Sequence, residues 1–387
     1  MSTRSAAQPP ASMRDAGPRS GRAEAAGATR LWYVAALPPP LNGQSNSNAA
    51  MLQEVEARGA AVRLHDIGGT TATKLRGVWR AMLAMACTAR QPDRVYLSVP
   101  GQAGIWLFVP LVLLLRLRGL THVVHHHSFR AINLGPLRGM RMLVAAGGAG
   151  QRHLLLSEDM RTRFADLYLG GQVGRTMVLS NAYLFGPRLI EAERPDRPVT
   201  LGHMSVLTRA KGVGYLLDLF RLLATRDPAW RLVIAGPCAD PALRAALAAA
   251  VAAYPGRIDY RGAVHGADKE RFFADIDLFV LPTTLVDEAE PLVMLEAFGR
   301  GIDVVANDTG CIRDRVRTHD HLLTRDPAAD VALIEARVAA DAKGWASARH
   351  ACIAHARGIK AQADADAETV FAELLGGAVN LPSTARL

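Results

Sequence analysis

Two carboxylates in the second half of the chain have a spacing that suits chemistry. Glu288 and Glu296 stand on either side of Pro291, after the apolar run Leu278–Leu281. Proline is well tolerated at a helix start, because its missing amide has no partner there. We therefore expect Glu288 in a loop and Glu296 in the helix, roughly 7.5 Å further along its axis. The segment around Glu296 is apolar, so burying that carboxylate without a ligand or partner would be costly.

The same helix start offers a place for phosphate. The amides of Leu292 and Val293 are expected to open toward the two carboxylates, where a helix dipole favours negative charge. The alternative is that both carboxylates are solvated, as such a pair would usually be on an isolated helix.

A cation pair follows an earlier apolar run. Lys211 and, two residues before it, Arg209 come after Val199–Met204 and precede Gly212. A fixed cation after a strand can stabilise a departing diphosphate, on which charge grows in the transition state. A solvated lysine at a helix start is the alternative interpretation.

Three consecutive histidines, His125 to His127, end another apolar run. Side chains alternate along a strand, so at most two of the three share a face, and they make a poor tripod of metal ligands. We predict no metal here and expect His127, the last of the three, to reach a ligand. A histidine satisfied within the core is the alternative.

The loop from Pro38 to Ser47 contains Gly43, which would allow a tight turn between a strand and a helix. We expect the helix to begin near Asn48 with Ser47 as its N-cap. The loop lacks the Lys-Ser/Thr pair of a P-loop, and no GxGxxG follows any apolar run. An NAD-dependent oxidoreductase is therefore disfavoured.

The elements that position these residues alternate as βα units, which require parallel sheets. The predicted strands of the first half are Leu31–Ala36, Ala61–Leu64, Val95–Val99, His122–His126, His153–Leu156 and Thr176–Leu179. Those of the second half are Val199–Met204, Arg231–Ala235, Ile258–Tyr260, Leu278–Leu281, Val304–Ala306 and a short run at His321–Leu323.

Length and breakers divide the chain of 387 residues into two domains. Residues 1–29 lack apolar runs and predict a disordered basic arm. Two Rossmann-like domains are expected at 30–190 and 191–360, with a linker at Glu191–Pro198, where prolines interrupt regular structure. Residues 361–387 are expected to supply a helix that returns toward the first domain, and Gly376-Gly377 is a stop signal.

The net charge of +9 is concentrated in residues 1–150, which hold 17 Lys/Arg and 6 Asp/Glu. No acidic residue lies between Asp93 and Glu158. Such a field attracts phosphates, including those of an anionic membrane surface, although a basic surface that only aids solubility explains it as well. The basic, aromatic stretch Lys74–Arg80 could rest on lipid headgroups, and a plain surface helix explains it nearly as well. The basic region lacks an interleaved platform of aromatic residues on which bases could stack, so nucleic acid is not an expected partner.

Two further features bear on location. The apolar run Ile105–Leu115 contains Pro110 and falls short of the ~20 residues that span a bilayer, so we expect a buried or surface-lying helix. The four cysteines are scattered without a CxxC pair, and no apolar core follows the basic start. A cytoplasmic location, peripheral at an inner membrane face, is expected.

Together these loops resemble the retaining glycosyltransferases of GT-B fold known as family 4, over nearly all of the chain after residue 30. The resemblance rests on the Glu-x7-Glu signature of Glu288 and Glu296 and the pair Lys211-Gly212. It also rests on the motifs Ala297–Gly301, Val304–Ala306, Gly236-Pro237, Asn181 and a histidine before Ser128.

The resemblance implies an α/β fold of two doubly wound domains around a central cleft, the first on the acceptor side and the second binding the nucleotide-sugar donor. It implies that Lys211 neutralises the donor diphosphate, Glu296 holds the ribose and Glu288 engages the transferred sugar. His127 would contact that sugar. The nucleotide base would lie near Gly236, Arg261 and Val264. Gly43 would line the floor of the cleft between donor and acceptor.

Such enzymes need no cofactor or metal and take a UDP- or GDP-sugar as co-substrate. The activity implied is hexosyl transfer with retention, and the acceptor a lipid-linked or saccharide hydroxyl in cell-envelope or exopolysaccharide synthesis. Front-face transfer is our hypothesis, because no second carboxylate is placed as a nucleophile.

One departure leaves an alternative open. The family places an arginine where this chain has Val206, and Arg209 is a candidate replacement. A non-catalytic nucleotide-sugar-binding protein, or an inactive partner subunit, is therefore the second hypothesis.

Overall fold

The computed structural model of the protein describes residues 30–39, 42–187 and 199–377. The predicted arm at 1–29 and the predicted linker Glu191–Pro198 lie outside these ranges. Two parallel six-stranded sheets organise the described residues. All twelve predicted strands are present, with ends within two residues of the prediction, so the βα interpretation is confirmed.

The first sheet has the order β2-β1-β3-β4-β5-β6. Its strands are β1 (Arg30–Ala35), β2 (Ala61–Asp66), β3 (Arg94–Val99), β4 (His122–His126), β5 (Gln151–Leu155) and β6 (Thr176–Val178). The helices between them are α1 (Gly43–Ala57), α2 (Thr71–Thr88), α3 (Phe108–Leu117), α4 (Arg130–Asn133), α5 (Arg138–Gly147) and α6 (Glu158–Tyr168).

The second sheet has the order β12-β11-β10-β7-β8-β9. Its strands are β7 (Thr200–Met204), β8 (Arg231–Ala235), β9 (Ile258–Tyr260), β10 (Leu278–Leu281), β11 (Asp303–Asn307) and β12 (Leu322–Leu323). The helices are α7 (Val213–Arg226), α8 (Pro241–Ala253), α9 (Gly266–Ala274), α10 (Leu292–Phe298), α11 (Ile312–Arg315), α12 (Pro327–Lys343) and α13 (Trp345–Leu375).

The first sheet is covered on both faces, as parallel sheets require. Val34 and Leu97 belong to the apolar cluster under α2, α3 and α5. On the other face, Tyr33 and Tyr96 pack with residues of α1 and with Phe371 of α13. The last turns of α13 therefore complete the core of the first sheet, although the helix follows the second sheet in sequence.

Helix α13 runs without a break from Trp345 to Leu375, so the predicted limit at 360/361 falls inside it. Gly376 ends the helix in a left-handed conformation with φ 77°, as a C-terminal glycine commonly does. The exact domain limits remain predictions.

The apolar run Ile105–Leu115 forms a short 3-10 turn, Ala103–Leu107, and most of α3. Phe108 and Leu111 of α3 are buried in the core, whereas Leu117 is 76% exposed. Within the described ranges, no helix is long and apolar enough to cross a membrane.

Candidate functional site

The order of the second sheet determines where its loops meet. Strand order reverses between β7 and β10, and ligands of doubly wound sheets bind at such a point, beyond the carboxyl ends of the strands. Lys211 follows β7 and Glu288 follows β10. Their side chains meet, with Lys211 Nζ donating to Glu288 Oε2 at 2.6 Å. The sequence had brought these two residues together only through the family resemblance.

Backbone contacts hold the two loops against each other. The amide of Thr284 donates to the carbonyl of Ala210 at 2.7 Å. Gly212 has φ 79°, and a Cβ there would lie 2.0 Å from the carbonyl oxygen of Pro282. A side chain at Gly212 would therefore push the loops apart and separate Lys211 from Glu288.

Glu288 is 7% exposed and also accepts a hydrogen bond of 2.9 Å from Thr283 Oγ1. Its Oε2 atom therefore accepts hydrogen bonds from both Lys211 and Thr283. Burial of a carboxylate is tolerated when it is paired in this way. The pair holds a cation and an anion in a fixed position at the reversal point.

Glu296 is turned to a different partner. It is the fifth residue of α10, and its Oε1 accepts from Lys269 Nζ of α9 at 2.5 Å. Each carboxylate of the signature is therefore paired with a different lysine. The sequence analysis did not identify Lys269. Leu292 and Val293 are the first two residues of α10 and are half-buried; the first amides of a helix have no partner within it.

The loop between β10 and α10, residues 282–291, here called the acidic loop, carries two further carboxylates that the sequence analysis also missed. Asp287 accepts from Arg130 Nε and a second guanidinium nitrogen, both at 2.9 Å, and from Ser128 Oγ at 2.8 Å. The Arg130 guanidinium lowers the pKa of the Asp287 carboxyl, and Ser128 contributes. A bidentate pair of this kind fixes orientation as well as charge.

Glu290 is the second of these carboxylates, and its side chain is fully buried. It accepts from Ser180 Oγ at 2.7 Å and from the amide of Asn181 at 2.6 Å, and it pairs with Arg315 of α11. Ser180 and Asn181 follow β6 of the first sheet. Asp287 and Glu290 therefore tie the acidic loop to the first domain, while Glu288 between them faces the second.

One signal in the sequence could have revealed these contacts. The acidic loop holds three carboxylates within four residues, and the long segment from residue 94 to residue 157 holds none. Opposite charge on two segments predicts that they attract each other. Arg130, in the same motif as the three histidines, is where that attraction is realised.

The histidines at the end of β4 alternate as predicted. The rings of His125 and His127 lie on one face, with centroids 3.8 Å apart, and His126 Nε2 lies 3.0 Å from His153 Nδ1 on the other. Burial lowers the pKa of His127 to about 3, so its ring is neutral near pH 7. His127 Nε2 is shielded from solvent and has no hydrogen-bond partner among the described residues.

Metal binding at this cluster is not indicated by the geometry. Among the described residues, no three His, Cys, Asp or Glu side chains lie together in an arrangement that would hold a metal ion. The Nε2 of His127 is a buried donor or acceptor without a partner among the described residues, and its contact with a ligand remains a prediction.

The predicted start of α1 is wrong. The helix begins at Gly43, its N-cap is Asn42, and Asn42 and Ser45 form a capping box. The prediction failed because Asn is as good a cap as Ser and the motif was available five residues earlier. Ser47 instead donates to Asn181 Oδ1 at 2.8 Å. A Cβ on Gly43 would meet nothing within 4 Å, so this exposed glycine is not required by a tight turn.

The residues expected near the base lie at the ends of β8 and β9. Gly236 has φ 124°, and a Cβ there would lie 1.7 Å from the carbonyl oxygen of Ser205, so only glycine fits. Arg261 pairs with Asp259 at 2.8 Å and Asp275 at 2.7 Å, and Val264 packs against the core of the second sheet.

Arg209 lies at the rim rather than at the ion pair. Its side chain is 76% exposed, and its Nε is 3.2 Å from Asp240 Oδ2. It borders a groove of about 320 Å³ together with Tyr215, Thr284 and Arg325. Val206, where the family places an arginine, is 53% exposed.

The comparison with protein families matches part of the second half of the chain, and the comparison with solved structures matches both halves. Residues 197–340 match the family model described as Glycosyl transferases group 1, a little over a third of the chain. No curated protein matches the sequence.

Solved structures match over both domains. The structure of Alr3699/HepE from Anabaena in complex with UDP is 18% identical, with a TM-score of 0.63, and the match covers 88% of this chain and 99% of that one. A structure named as trehalose-6-phosphate from E. coli bound with UDP-2-fluoro glucose is 12% identical, with a TM-score of 0.61 and coverage of 90% and 99%. TarM is 14% identical, with a TM-score of 0.57 and coverage of 79% and 58%. The fold is therefore GT-B.

Proposed function

We propose that this chain is a glycosyltransferase that moves a sugar from a nucleotide diphospho-sugar to an acceptor hydroxyl. The observation that carries the proposal is the ion pair between Lys211 and Glu288 at the reversal point of the second sheet. The match of that half of the chain to group 1 glycosyl transferases supports it. The structures of HepE with UDP and with UDP-glucose favour a UDP-sugar as donor over a GDP-sugar.

In this proposal Lys211 leaves its ion pair with Glu288 and binds the donor diphosphate instead. The bond between the anomeric carbon and the phosphate oxygen breaks, and its electron pair leaves with the diphosphate, whose growing charge Lys211 stabilises. The acceptor hydroxyl attacks the same face, and its proton passes to the departing phosphate oxygen. The anomeric configuration is retained.

The remaining site residues have supporting roles in this reaction. Glu288, released from Lys211, accepts a hydrogen bond from a hydroxyl of the transferred sugar, and Glu296 takes the ribose. His127 contacts the sugar as a neutral ring, because burial lowers its pKa to about 3. It therefore orients the sugar without adding charge to the site.

The test compares two lysine or arginine removals in the second domain. Lys211→Ala should lower transfer from radiolabelled UDP-glucose or GDP-mannose to a membrane extract by about 100-fold, the usual loss for one preorganised charge contact. Arg221→Ala is the matched control, because Arg221 pairs with Asp218 on the exposed face of α7. Full activity in Lys211→Ala, with an unchanged melting temperature, would overturn the proposal.

A non-catalytic nucleotide-sugar-binding subunit is the second candidate, and the exposed Val206 in place of an arginine favours it. The same assay separates the two. Wild-type protein that binds UDP in calorimetry but releases no labelled sugar or nucleotide with any acceptor extract would establish the second candidate.

The outer face of the first domain suits an anionic membrane surface, and we place the acceptor there, in cell-envelope glycolipid or polysaccharide synthesis. Leu75, Trp79 and Leu83 follow each other at four-residue spacing on α2 and are 42%, 50% and 59% exposed. Lys74 and Arg80 flank this stripe. An apolar stripe beside cations is the pattern of a helix that lies in a lipid interface.

Vesicle flotation tests this surface. Wild-type protein should float with phosphatidylcholine vesicles that contain phosphatidylglycerol, and a Leu75→Ser, Trp79→Ser variant should remain at the bottom. Leu222→Ser is the matched control, since Leu222 is 40% exposed on α7 of the second domain. Membrane association is disproved if the wild type stays at the bottom. If both variants float equally, the stripe on α2 is not the surface that contacts the membrane.

A further inference from the structure

A cavity of about 530 Å³ opens on the first domain, outside the ion-pair site. It lies between the 3-10 turn Ala103–Leu107, helix α4 and the start of α5. Its volume falls within the range of about 300–1,000 Å³ that small-ligand pockets occupy. Nothing in the reaction described above uses it.

The walls of this cavity are mainly apolar. Ile105 and Met140 are buried in it, Leu137 is half-buried, and Trp106, at 49% exposed, forms both wall and rim. A Cβ on Gly139 would lie 2.7 Å from Ile105 Cγ2. The glycine therefore lets α5 lie against the turn and shapes the apolar side of the cavity.

One cation of the cavity is available for a ligand. Arg138, the first residue of α5, is exposed and makes no hydrogen bond or ion pair within the described ranges. Arg130 also lines the cavity but is already held by Asp287. No acidic residue lies between Asp93 and Glu158, so the segments that form the cavity supply no carboxylate of their own to pair with Arg138.

The cavity adjoins the acidic loop. Gly101 lines it, and a Cβ on Gly101 would lie 3.2 Å from Asp287 Oδ1. Asp287 is the residue before Glu288, which pairs with Lys211. A ligand in the cavity therefore sits beside the loop that carries the proposed sugar contact.

We infer that this cavity binds the phosphate headgroup and the first carbons of a lipid, with Arg138 on the phosphate and Ile105, Trp106 and Met140 along the chain. The lipid would be the acceptor of the glycosyl transfer, so this inference rests on the proposed function. The combination of a free guanidinium and an apolar wall fits an amphiphile, because the phosphate requires the cation and the hydrocarbon requires burial.

The experiment measures the affinity of full-length protein for dodecyl phosphate below its micelle concentration, by calorimetry. Arg138→Gln should weaken binding at least tenfold. Arg141→Gln should change it less than twofold, because Arg141 is exposed on the same helix but does not line the cavity. Inorganic phosphate, which lacks the chain, should bind at least tenfold more weakly than dodecyl phosphate.

Each other result decides against the inference. Equal weakening by Arg138→Gln and Arg141→Gln would show general attraction to a basic surface. Equal affinity for inorganic phosphate would show a free-phosphate site, and no binding of dodecyl phosphate would show that the cavity is not a lipid-phosphate site.

UDP binding, measured in the same samples, separates this failure from failure of the proposed function. Wild-type protein that binds and turns over a UDP-sugar, but fails the dodecyl phosphate test, loses only the lipid site. Protein that binds dodecyl phosphate but no nucleotide-sugar loses the proposed function and keeps the cavity as a lipid-phosphate site.

Discussion

The two sheets reverse strand order at different places, and the two reversal points are filled differently. In the second sheet the point lies between β7 and β10, and a charged pair, Lys211 and Glu288, occupies it. In the first sheet it lies between β1 and β3, where a neutral amide is found. Gln44 Nε2 donates to Ser98 Oγ at 2.9 Å and to the carbonyl of Val99 at 3.2 Å.

The second reversal point therefore offers a fixed charge, whereas the first offers neutral hydrogen-bonding groups. A site that stabilises a departing diphosphate needs a fixed cation, whereas a site that presents a hydroxyl needs only hydrogen bonds and a defined surface. The second domain supplies the cation at its reversal point. The first domain keeps its cations elsewhere, at Arg130 in the contact with Asp287 and at Arg138 on the cavity.

Removing the charge from Glu288 should have the largest effect of the changes that test this difference between the two reversal points. Glu288→Gln keeps the size of the side chain and its contact with Thr283 but leaves Lys211 without a countercharge. We expect transfer to fall by about 100-fold or more, because a contact to the reacting sugar is lost. UDP should bind more tightly, since Lys211 no longer has to leave Glu288. Turnover and calorimetry measure the two effects.

Glu335→Gln is the control for this change, because Glu335 pairs with Arg226 on the surface of the same domain at 2.6 Å. It should leave both quantities unchanged. If Glu288→Gln weakens UDP binding and leaves transfer intact, Glu288 binds the nucleotide and has no role in the reaction.

The sequence predicted the elements well for a physical reason. Strands buried on both faces form short apolar runs in the sequence, and β8 and β10 begin and end where such runs were predicted. The glycine that ends α13 in a left-handed conformation, Gly376, was also predicted from the sequence as a stop signal. These signals are local, and each is contained in a few neighbouring residues.

The partners of the site residues could not be predicted in the same way. Glu296 meets Lys269 from 27 positions before it, and Glu290 meets Ser180 from 110 positions before it. Such pairs depend on how the two domains and their loops come together, which no local pattern contains. The start of α1 failed for a different reason, because Asn42 and Ser47 are both good caps and only packing selects between them.

Gln44→Ala provides the smallest and most selective test of the first reversal point. It removes two partly buried hydrogen bonds, so the free energy of unfolding should fall by about 1–2 kcal/mol in chemical denaturation. Transfer should fall less than tenfold, because no charge at the reaction is altered. A loss of transfer as large as that of Glu288→Gln, without loss of stability, would mean that Gln44 itself holds the acceptor. The first reversal point would then be a reacting site, and charge would not distinguish the two domains.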